Sequence, residues 1–198
     1  MYLSTYNIKM ETENKVVKYL IENKKEMTIR ELANAVKSDY KIVHTAVTRL
    51  LKKEVLSGKN IGKSVVVSLN NKLSKEIFQV EFERREDVLK NKNLKVMLDS
   101  IKNDLKTVNF FLLLFGSYAK KTFGSKSDID LIFIIPDLKI EKEIEQVISL
   151  LPLKIHALIF SEKQFIDMKN SHELNVIREA IKNNIILHGI EQYYGLLK

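Results

Sequence analysis

Small and acidic side chains stand at the borders of two apolar runs near the middle of the chain. The first run, Val108–Phe115, ends at Gly116 and Ser117, and the second begins around Asp128 and Asp130. Glycine lets the backbone turn sharply beside a ligand, and a serine hydroxyl with the free N–H groups of a helix start can bind phosphate. Two carboxylates one residue apart suit a hard divalent cation. The spacing predicts one site with a phosphate-binding half and a metal-binding half.

The two aspartates share one face of a strand if "SDIDLIFII" is extended. Alternation along a strand points Asp128 and Asp130 to the same side, about 7 Å apart. Their repulsion near the surface is of the order of 1 kcal/mol, and a bound Mg²⁺ or Mn²⁺ removes it. Lys120 and Lys121 follow Ser117 within one turn and offer positive charge to a phosphate. Turn-capping aspartates and a plain Gly-Ser loop are the alternative interpretation.

The order Gly-Ser, ten residues, then Asp-x-Asp between two apolar strands resembles the signature of the nucleotidyltransferases of the DNA polymerase β superfamily. The nearest similarity is to the minimal nucleotidyltransferases of archaea and bacteria. The resemblance implies a mixed sheet flanked by helices, two Mg²⁺ ions, and transfer of a nucleoside monophosphate from an NTP to an acceptor hydroxyl. By position, it implies that Gly116 and Ser117 bind the triphosphate and that Asp128 and Asp130 bind the metal.

Two positions depart from the pattern of that family. Lys121 stands where many relatives have a glycine after the short helix. The family also carries a third carboxylate on a later strand, and the predicted strand Leu153–Phe160 has His156 at that place. Imidazole can act as a base near neutral pH, but it is a poor ligand for Mg²⁺. A lone histidine on a strand is more often structural, so His156 leaves open whether catalysis is retained.

The first third of the chain has the pattern of a DNA-binding domain. Apolar residues at helical spacing predict three helices, within Glu13–Asn23, Thr28–Val36 and Ser38–Val55, and the second opens with a capping-box spacing. Two β-prone runs around a turn at Gly58–Lys63 predict a hairpin. Three helices followed by a basic hairpin resemble a winged helix-turn-helix domain, in which the third helix enters the major groove.

Positive charge is concentrated in the same third. Residues 1–70 hold 13 of the 33 Lys and Arg and 7 of the 25 Asp and Glu, a net charge of +6, whereas the rest of the chain has a net charge of +2. A polyanion suits such a segment, although a generally Lys-rich composition explains the charge about as well. The candidate DNA-binding residues on the third helix and the hairpin are Lys41, His44, Thr45, Thr48, Arg49, Lys52, Lys59 and Lys63.

These patterns predict an α/β (α+β) protein of two domains. We expect a winged helix-turn-helix domain at 1–70, a helical linker at 71–93 and a nucleotidyltransferase-like domain, a mixed sheet flanked by helices, at 94–198. The absence of cysteine excludes disulfides and thiolate metal sites. No apolar run is long enough to span a membrane, and a cytoplasmic location is the default expectation.

Three functions fit the sequence. The first is an enzyme that uses Mg²⁺-NTP to modify a hydroxyl of a protein, RNA or small molecule; the resemblance suggests a toxin–antitoxin pair with a small helical partner. The second is a DNA-binding regulator or antitoxin whose catalytically impaired domain senses a nucleotide or forms a homodimer. A third is a partner-docking antitoxin that uses neither activity. Asp128 and Asp130 favour the enzyme, and His156 favours the regulator.

Overall fold

Three helices open the chain, and each begins where the sequence supplies a local signal. Helix α1 spans Tyr2–Asn23, α2 spans Ile29–Ala35 and α3 spans Tyr40–Lys52. The predicted capping box of α2 is confirmed: the Glu31 N–H donates to Thr28 Oγ1 at 3.2 Å, and the Thr28 N–H donates to Glu31 Oε2 at 2.7 Å. The computed structural model describes residues 2–107, 109–124 and 127–197, with side chains from residue 11 onward.

A small antiparallel sheet completes the N-terminal region. Strands β1 (Met27–Thr28), β2 (Leu56–Ile61) and β3 (Ser64–Leu69) lie in the order β1-β3-β2. The predicted hairpin is confirmed, but its turn is shorter than expected, because β2 continues to Ile61 and only Gly62 and Lys63 separate it from β3. Gly62 has a φ of +58°, which suits the first turn position of a two-residue hairpin loop.

The buried stripe of α3 is narrower than the sequence suggested. The apolar spacing predicted that this stripe holds Ile42, Val43, Ala46, Val47, Leu50 and Leu51. Val43, Ala46, Val47 and Leu50 are buried, but Ile42, at the edge of the apolar face, is 43 % exposed. The residues that the helices and sheet bury together are Val16, Val17, Leu20, Ile21, Ile29, Leu32, Val55, Leu56 and Val67.

The polar middle segment forms two helices. Helix α4 spans Lys75–Val88 and α5 spans Lys92–Asp104. The chain breaks between the two helices, and Asn91 caps α5 by accepting the Asn93 N–H at 3.0 Å. The described chain divides into two units, Met1–Glu81 and Phe82–Leu197, and this division falls within α4. The domain boundaries drawn from the sequence at 70 and 94 stay a prediction.

A four-stranded mixed sheet forms the centre of the second unit, as the sequence predicted. Its strand order is β6-β5-β4-β7, in which β5 and β6 run parallel and the other neighbours run antiparallel. The chain crosses from β5 to β6 through a short 3₁₀ helix and α7 (Glu141–Ser149), because parallel neighbours need a long connection. The strands are β4 (Phe111–Phe115), β5 (Ile129–Ile135), β6 (Ile155–Ser161) and β7 (Ile185–His188).

Helices cover both faces of this sheet. Helices α5 and α7 pack on one face, around the buried side chains of Leu112, Leu131 and Phe133. On the other face, Phe111 meets Phe165 and Tyr193 edge-on, at ring-centroid distances of 5.3 and 5.7 Å. The helices of that face are α8 (Glu162–Asn170), α9 (Val176–Lys182) and α10 (Ile190–Leu196). Among the described residues, no helix is long and apolar enough to cross a membrane.

Candidate functional site

The predicted phosphate loop lies against one of the two predicted metal carboxylates, that of Asp130. Strand β4 ends at Phe115, which pairs with Asp130 on β5, and the short helix α6 (Gly116–Ala119) starts at once. A Cβ atom on Gly116 would lie 2.1 Å from Asp130 Oδ2, and Gly116 has a φ of +65°. The close approach and the left-handed backbone both require glycine. Gly116, Ser117 and Asp130 therefore belong to one small region at the end of the β4–β5 pair.

The loop after α6 is held by its own hydrogen bonds and ring contacts. The Thr122 N–H donates to the Ser117 carbonyl at 2.9 Å. Nearer to the aspartates, the Gly124 N–H donates to Ser127 Oγ at 2.9 Å. The rings of Tyr118 and Phe123 stack in parallel, with centroids 4.4 Å apart. These contacts hold the described residues of the loop on the side of Ser117 and on the side of Ser127.

Strand β6 brings His156 beside Asp130. The parallel register pairs these two residues, and His156 Nδ1 lies 3.3 Å from Asp130 Oδ1. The His156 side chain is 60 % exposed and that of Asp130 is 26 % exposed, so solvent and ligands can reach both. His156 is therefore a neighbour of the predicted metal carboxylates and not a buried packing residue.

Lys154 is a neighbour of the site that the sequence analysis missed. Its Nζ lies 3.9 Å from Asp128 Oδ1, and both side chains are largely exposed. The signal was present in the spacing: Lys-x-His on one strand lies opposite Asp-x-Asp on a parallel neighbour in register. The acidic side chains of Asp128 and Asp130 thus lie beside the side chains of Lys154 and His156, respectively.

The two lysines predicted to bind phosphate have carboxylate partners in this structure. Lys120 Nζ lies 3.2 Å from Glu179 Oε1, and Lys121 Nζ lies 3.1 Å from Asp87 Oδ2. These pairs are exposed, so a triphosphate can replace the carboxylate at little cost. Lys121 has a φ of +57°, a left-handed conformation that suits the glycine which the resemblance implies at this position.

Asp87 gives the protein an acid-sensitive contact. Hydrogen bonds from Lys90 first, and then from Lys121, lower the pKa of Asp87 from 3.8 to about 2. Because the pKa is depressed by folding, the stabilisation is present above pH 3.8 and is lost as the pH falls toward 2. The effect is small, since the carboxylate is 41 % exposed and water screens it.

We expect Asp87→Asn to lower the free energy of unfolding slightly at pH 5 and not at all near pH 2. Urea unfolding of the wild type and the variant across that pH range measures the difference. A gap between the two proteins that is constant with pH would contradict the assigned pKa.

The chemistry of the donor set fits a magnesium ion that is shared with a nucleotide. Mg²⁺ is usually held by one or two carboxylates together with substrate phosphates and water. Asp128 and Asp130 supply two carboxylates at one strand end. Among the described residues, no group of three or more His, Cys, Asp or Glu side chains could hold a metal ion by itself. Asp128 and Asp130 are thus the residues that could hold a divalent ion, with the phosphates of an NTP as the remaining ligands.

The candidate DNA-binding residues of α3 lie mainly on its exposed side. Lys41, His44, Thr45 and Lys52 are exposed, and Thr48 is half-buried. The Thr45 and Thr48 hydroxyls donate to carbonyls one turn earlier, at 2.8 Å each, which leaves their oxygen lone pairs to accept. This face offers cations and hydroxyl groups at helical spacing.

The other three candidate DNA-binding residues differ in whether their positive charge is already paired with a glutamate. Arg49 lies 3.6 Å from the buried Glu13 of α1, so its charge is partly used inside the unit. Lys59 forms an ion pair with Glu26. Lys63 is exposed at the hairpin turn and has no ion pair with any described residue. Lys63 is thus the most available cation of the hairpin.

Comparisons with known proteins bear on both parts of the chain. Residues 13–71 match a family model described as HVO_A0114, a description that states no activity. A search of curated proteins found no match, and neither did a search of solved structures. Residues 94–188 match a family model described as nucleotidyltransferase domain, and this match confirms the nucleotidyltransferase part of the resemblance.

Proposed function

We propose that residues 94–198 use Mg²⁺-NTP, or Mn²⁺-NTP, to transfer a nucleoside monophosphate to an acceptor hydroxyl. One observation carries the proposal: Gly116 packs directly on the carboxylate of Asp130, which supports a single site made of the proposed phosphate loop and the proposed metal carboxylates. The match of residues 94–188 to the nucleotidyltransferase model supports nucleotidyl transfer in general. The acceptor, a protein, an RNA or a small molecule, is part of the proposal.

The residues around Gly116 have the chemistry to bind the triphosphate. The Ser117 hydroxyl and the free N–H groups at the start of α6 are donors for phosphate oxygens. Lys120 and Lys121 are close in sequence and can exchange their carboxylate partners for phosphate. Asp128 and Asp130 would hold the divalent ion, which when bound neutralises charge on the triphosphate and aligns the reacting groups.

We propose that His156 takes the proton of the acceptor. If its Nδ1–H donates to Asp130 Oδ1, its Nε2 is the free acceptor atom of the ring. The hydroxyl oxygen then forms a bond with the α-phosphorus, its proton passes to Nε2, and the bond to the β-phosphate oxygen breaks to release pyrophosphate. Asp130 orients the imidazole in this scheme.

The test is transfer of label from α-labelled NTPs in the presence of Mg²⁺ or Mn²⁺. The acceptors are purified small helical partner proteins, RNA and the protein itself, and the matched control is Asp128→Asn/Asp130→Asn. These substitutions keep side-chain size and remove both charges. Transfer by the wild type that the double variant lacks supports the proposal. Absence of both transfer and nucleotide binding would overturn it.

A second candidate function is a regulator whose nucleotide domain binds without turnover. The observation that favours it is the pair Lys154 and His156, which places a cationic and a titratable side chain opposite Asp128 and Asp130 where the resemblance implies a third carboxylate. In the assay above, binding of NTP without transfer to any acceptor supports this candidate. A partner-docking antitoxin is the outcome if neither binding nor transfer occurs and a helical partner is still bound.

We propose that the first unit is a winged helix-turn-helix domain that binds DNA. Helices α1 to α3, the sheet order β1-β3-β2 and the basic hairpin turn support this fold. The exposed face of α3 would enter the major groove, and Lys63 on the hairpin would contact the phosphate backbone. Lys59 contributes less to this contact than the sequence suggested, because it is paired with Glu26.

We expect Lys52→Ala and Lys63→Ala each to weaken DNA binding about equally for all sequences. Each loss of a phosphate contact lowers the slope of log affinity against log salt by about 1. Lys102→Ala, on α5 of the second unit, changes the charge equally and should have no such effect. Fluorescence anisotropy with labelled duplexes at several salt concentrations measures this, and binding that ignores salt would contradict the proposal.

A further inference from the structure

Strand β6 presents a free hydrogen-bonding edge. Of the strands that the structure describes, only β5 pairs with it. The Ile129 N–H donates to the Lys154 carbonyl at 2.8 Å, which fixes the side of β6 that faces β5. Because backbone groups alternate along a strand, the N–H and C=O groups of Ile155, Ala157 and Ile159 point away from the sheet. A second strand could therefore extend the sheet at this edge.

The surroundings of this edge form an acidic groove. Helix α7 lies beside β6, and its Glu141 and Glu145 line the groove together with Ile148 and the strand itself. Glu162 follows directly after β6. None of these three glutamates forms an ion pair with any residue in the described ranges. Glu141 and Glu145 in the groove, and Glu162 just beyond the end of β6, thus favour a strand that brings a positive charge.

We propose that the occupant is β6 of a second copy of this chain, paired antiparallel about Leu158. In this register Ala157 lies opposite Ile159 of the second copy, and Ile155 lies opposite Ser161, so that outward backbone groups meet outward groups. Lys154 directly precedes β6 and Glu162, the first residue of α8, directly follows it, so the same register brings Lys154 close to Glu162 of the second copy. Two-fold symmetry repeats that contact, so each dimer contains two such pairs.

The charges select this register over its neighbour. Pairing centred on Ala157 would also match the outward backbone groups, but it would set Lys154 opposite Phe160 and leave Glu162 without a cation. Pairing centred on Leu158 opposes unlike charges at both ends and leaves Leu158 against its own copy at the centre. The resulting eight-stranded sheet covers both β6 edges, which removes an exposed site for unspecific strand pairing.

The test is sedimentation velocity of the full chain between about 1 and 100 μM, a range that detects dissociation constants typical of such contacts. We expect a species of twice 23.0 kDa. Lys154→Glu and Glu162→Lys should each raise the dimer dissociation constant at least tenfold, because each change creates two like-charge contacts. The double variant Lys154→Glu/Glu162→Lys should restore the wild-type value.

Ala157→Pro is a second probe of the same edge. It removes an outward N–H and leaves the bonds to β5 in place, so a folded variant should be monomeric. Circular dichroism reports whether it is folded. If it is not, the test of the dimer rests on Lys154→Glu, Glu162→Lys and their double variant. A wild-type protein that is monomeric throughout, or a dimer that all variants keep, would overturn the proposal. Nucleotide binding is measured separately, so failure here leaves the proposed function intact.

Discussion

Replacing Gly116 by alanine is expected to reduce nucleotidyl transfer at least a hundredfold while the protein still folds. The new Cβ atom would lie 2.1 Å from Asp130 Oδ2, so the carboxylate has to move away from the phosphate loop. Displacement of a catalytic group by about 1 Å can cost a hundredfold in rate. The left-handed backbone adds about 1–2 kcal/mol of destabilisation for any residue other than glycine.

Gly62→Ala is the matched control for that substitution. Gly62 has a nearly equal φ of +58°, but nothing lies within 4 Å of the position its Cβ would take. Both variants should lose free energy of unfolding in urea titrations because of the left-handed backbone, Gly116→Ala more because of its clash with Asp130, and only Gly116→Ala should lose transfer and NTP binding. Equal activity of the two variants would show that Asp130 does not act next to Gly116.

Replacing His156 by aspartate is expected to make the stability of the protein depend on divalent metal. A carboxylate at this position lies beside Asp130, and two like charges about 4 Å apart repel each other by about 1 kcal/mol in water. The variant should therefore unfold at lower Tm in EDTA. Mg²⁺ or Mn²⁺ should remove this loss, and metal affinity should rise at least tenfold because a third charged oxygen ligand has been added.

His156→Asn is the matched control, because it has the shape of aspartate without the charge. Thermal unfolding with EDTA and with metal, together with Mn²⁺ titration calorimetry, distinguishes the two variants. If His156 is the base, His156→Asn should also lower transfer by a factor of about 10²–10⁴. If the domain is a sensor, wild type and His156→Asn should both lack transfer. Equal metal affinity in His156→Asp and His156→Asn would contradict the placement of residue 156 at the metal site.

The sequence predicted the elements of the fold because their signals are local. Helical periodicity and capping residues mark α2 and α3, and the apolar runs around Gly116 and Asp130 mark β4 and β5. The pairing of Gly-Ser with Asp-x-Asp also followed from the motif, since the two strands that carry it are consecutive. The mixed α/β class and the predicted strand that became β6 are confirmed on this basis.

The parts that the sequence did not predict depend on contacts between distant segments. Lys154 lies near Asp128 because β5 and β6 pair in parallel, and this pairing is needed to recognise it as a neighbour of the site. The ion pairs of Arg49 and Lys59 with glutamates elsewhere in the first unit have no local signal. The exposure of Ile42 likewise depends on where neighbouring helices end. Each of these features is fixed by tertiary packing, which local patterns do not encode.

The parallel pairing of β5 and β6 has a consequence for how the protein folds. Gly116 directly follows β4, and Asp130 lies on the next strand, β5, so their contact closes a short loop. Asp130 and His156 meet only after the chain has formed a crossover through α7. Such long-range parallel pairing is slow, because the entropy of the long loop is lost before the strands form stabilising contacts. We expect pulsed hydrogen exchange during refolding to protect β4 and β5 before β6. The phosphate-binding half of the site would thus exist earlier in folding than its histidine.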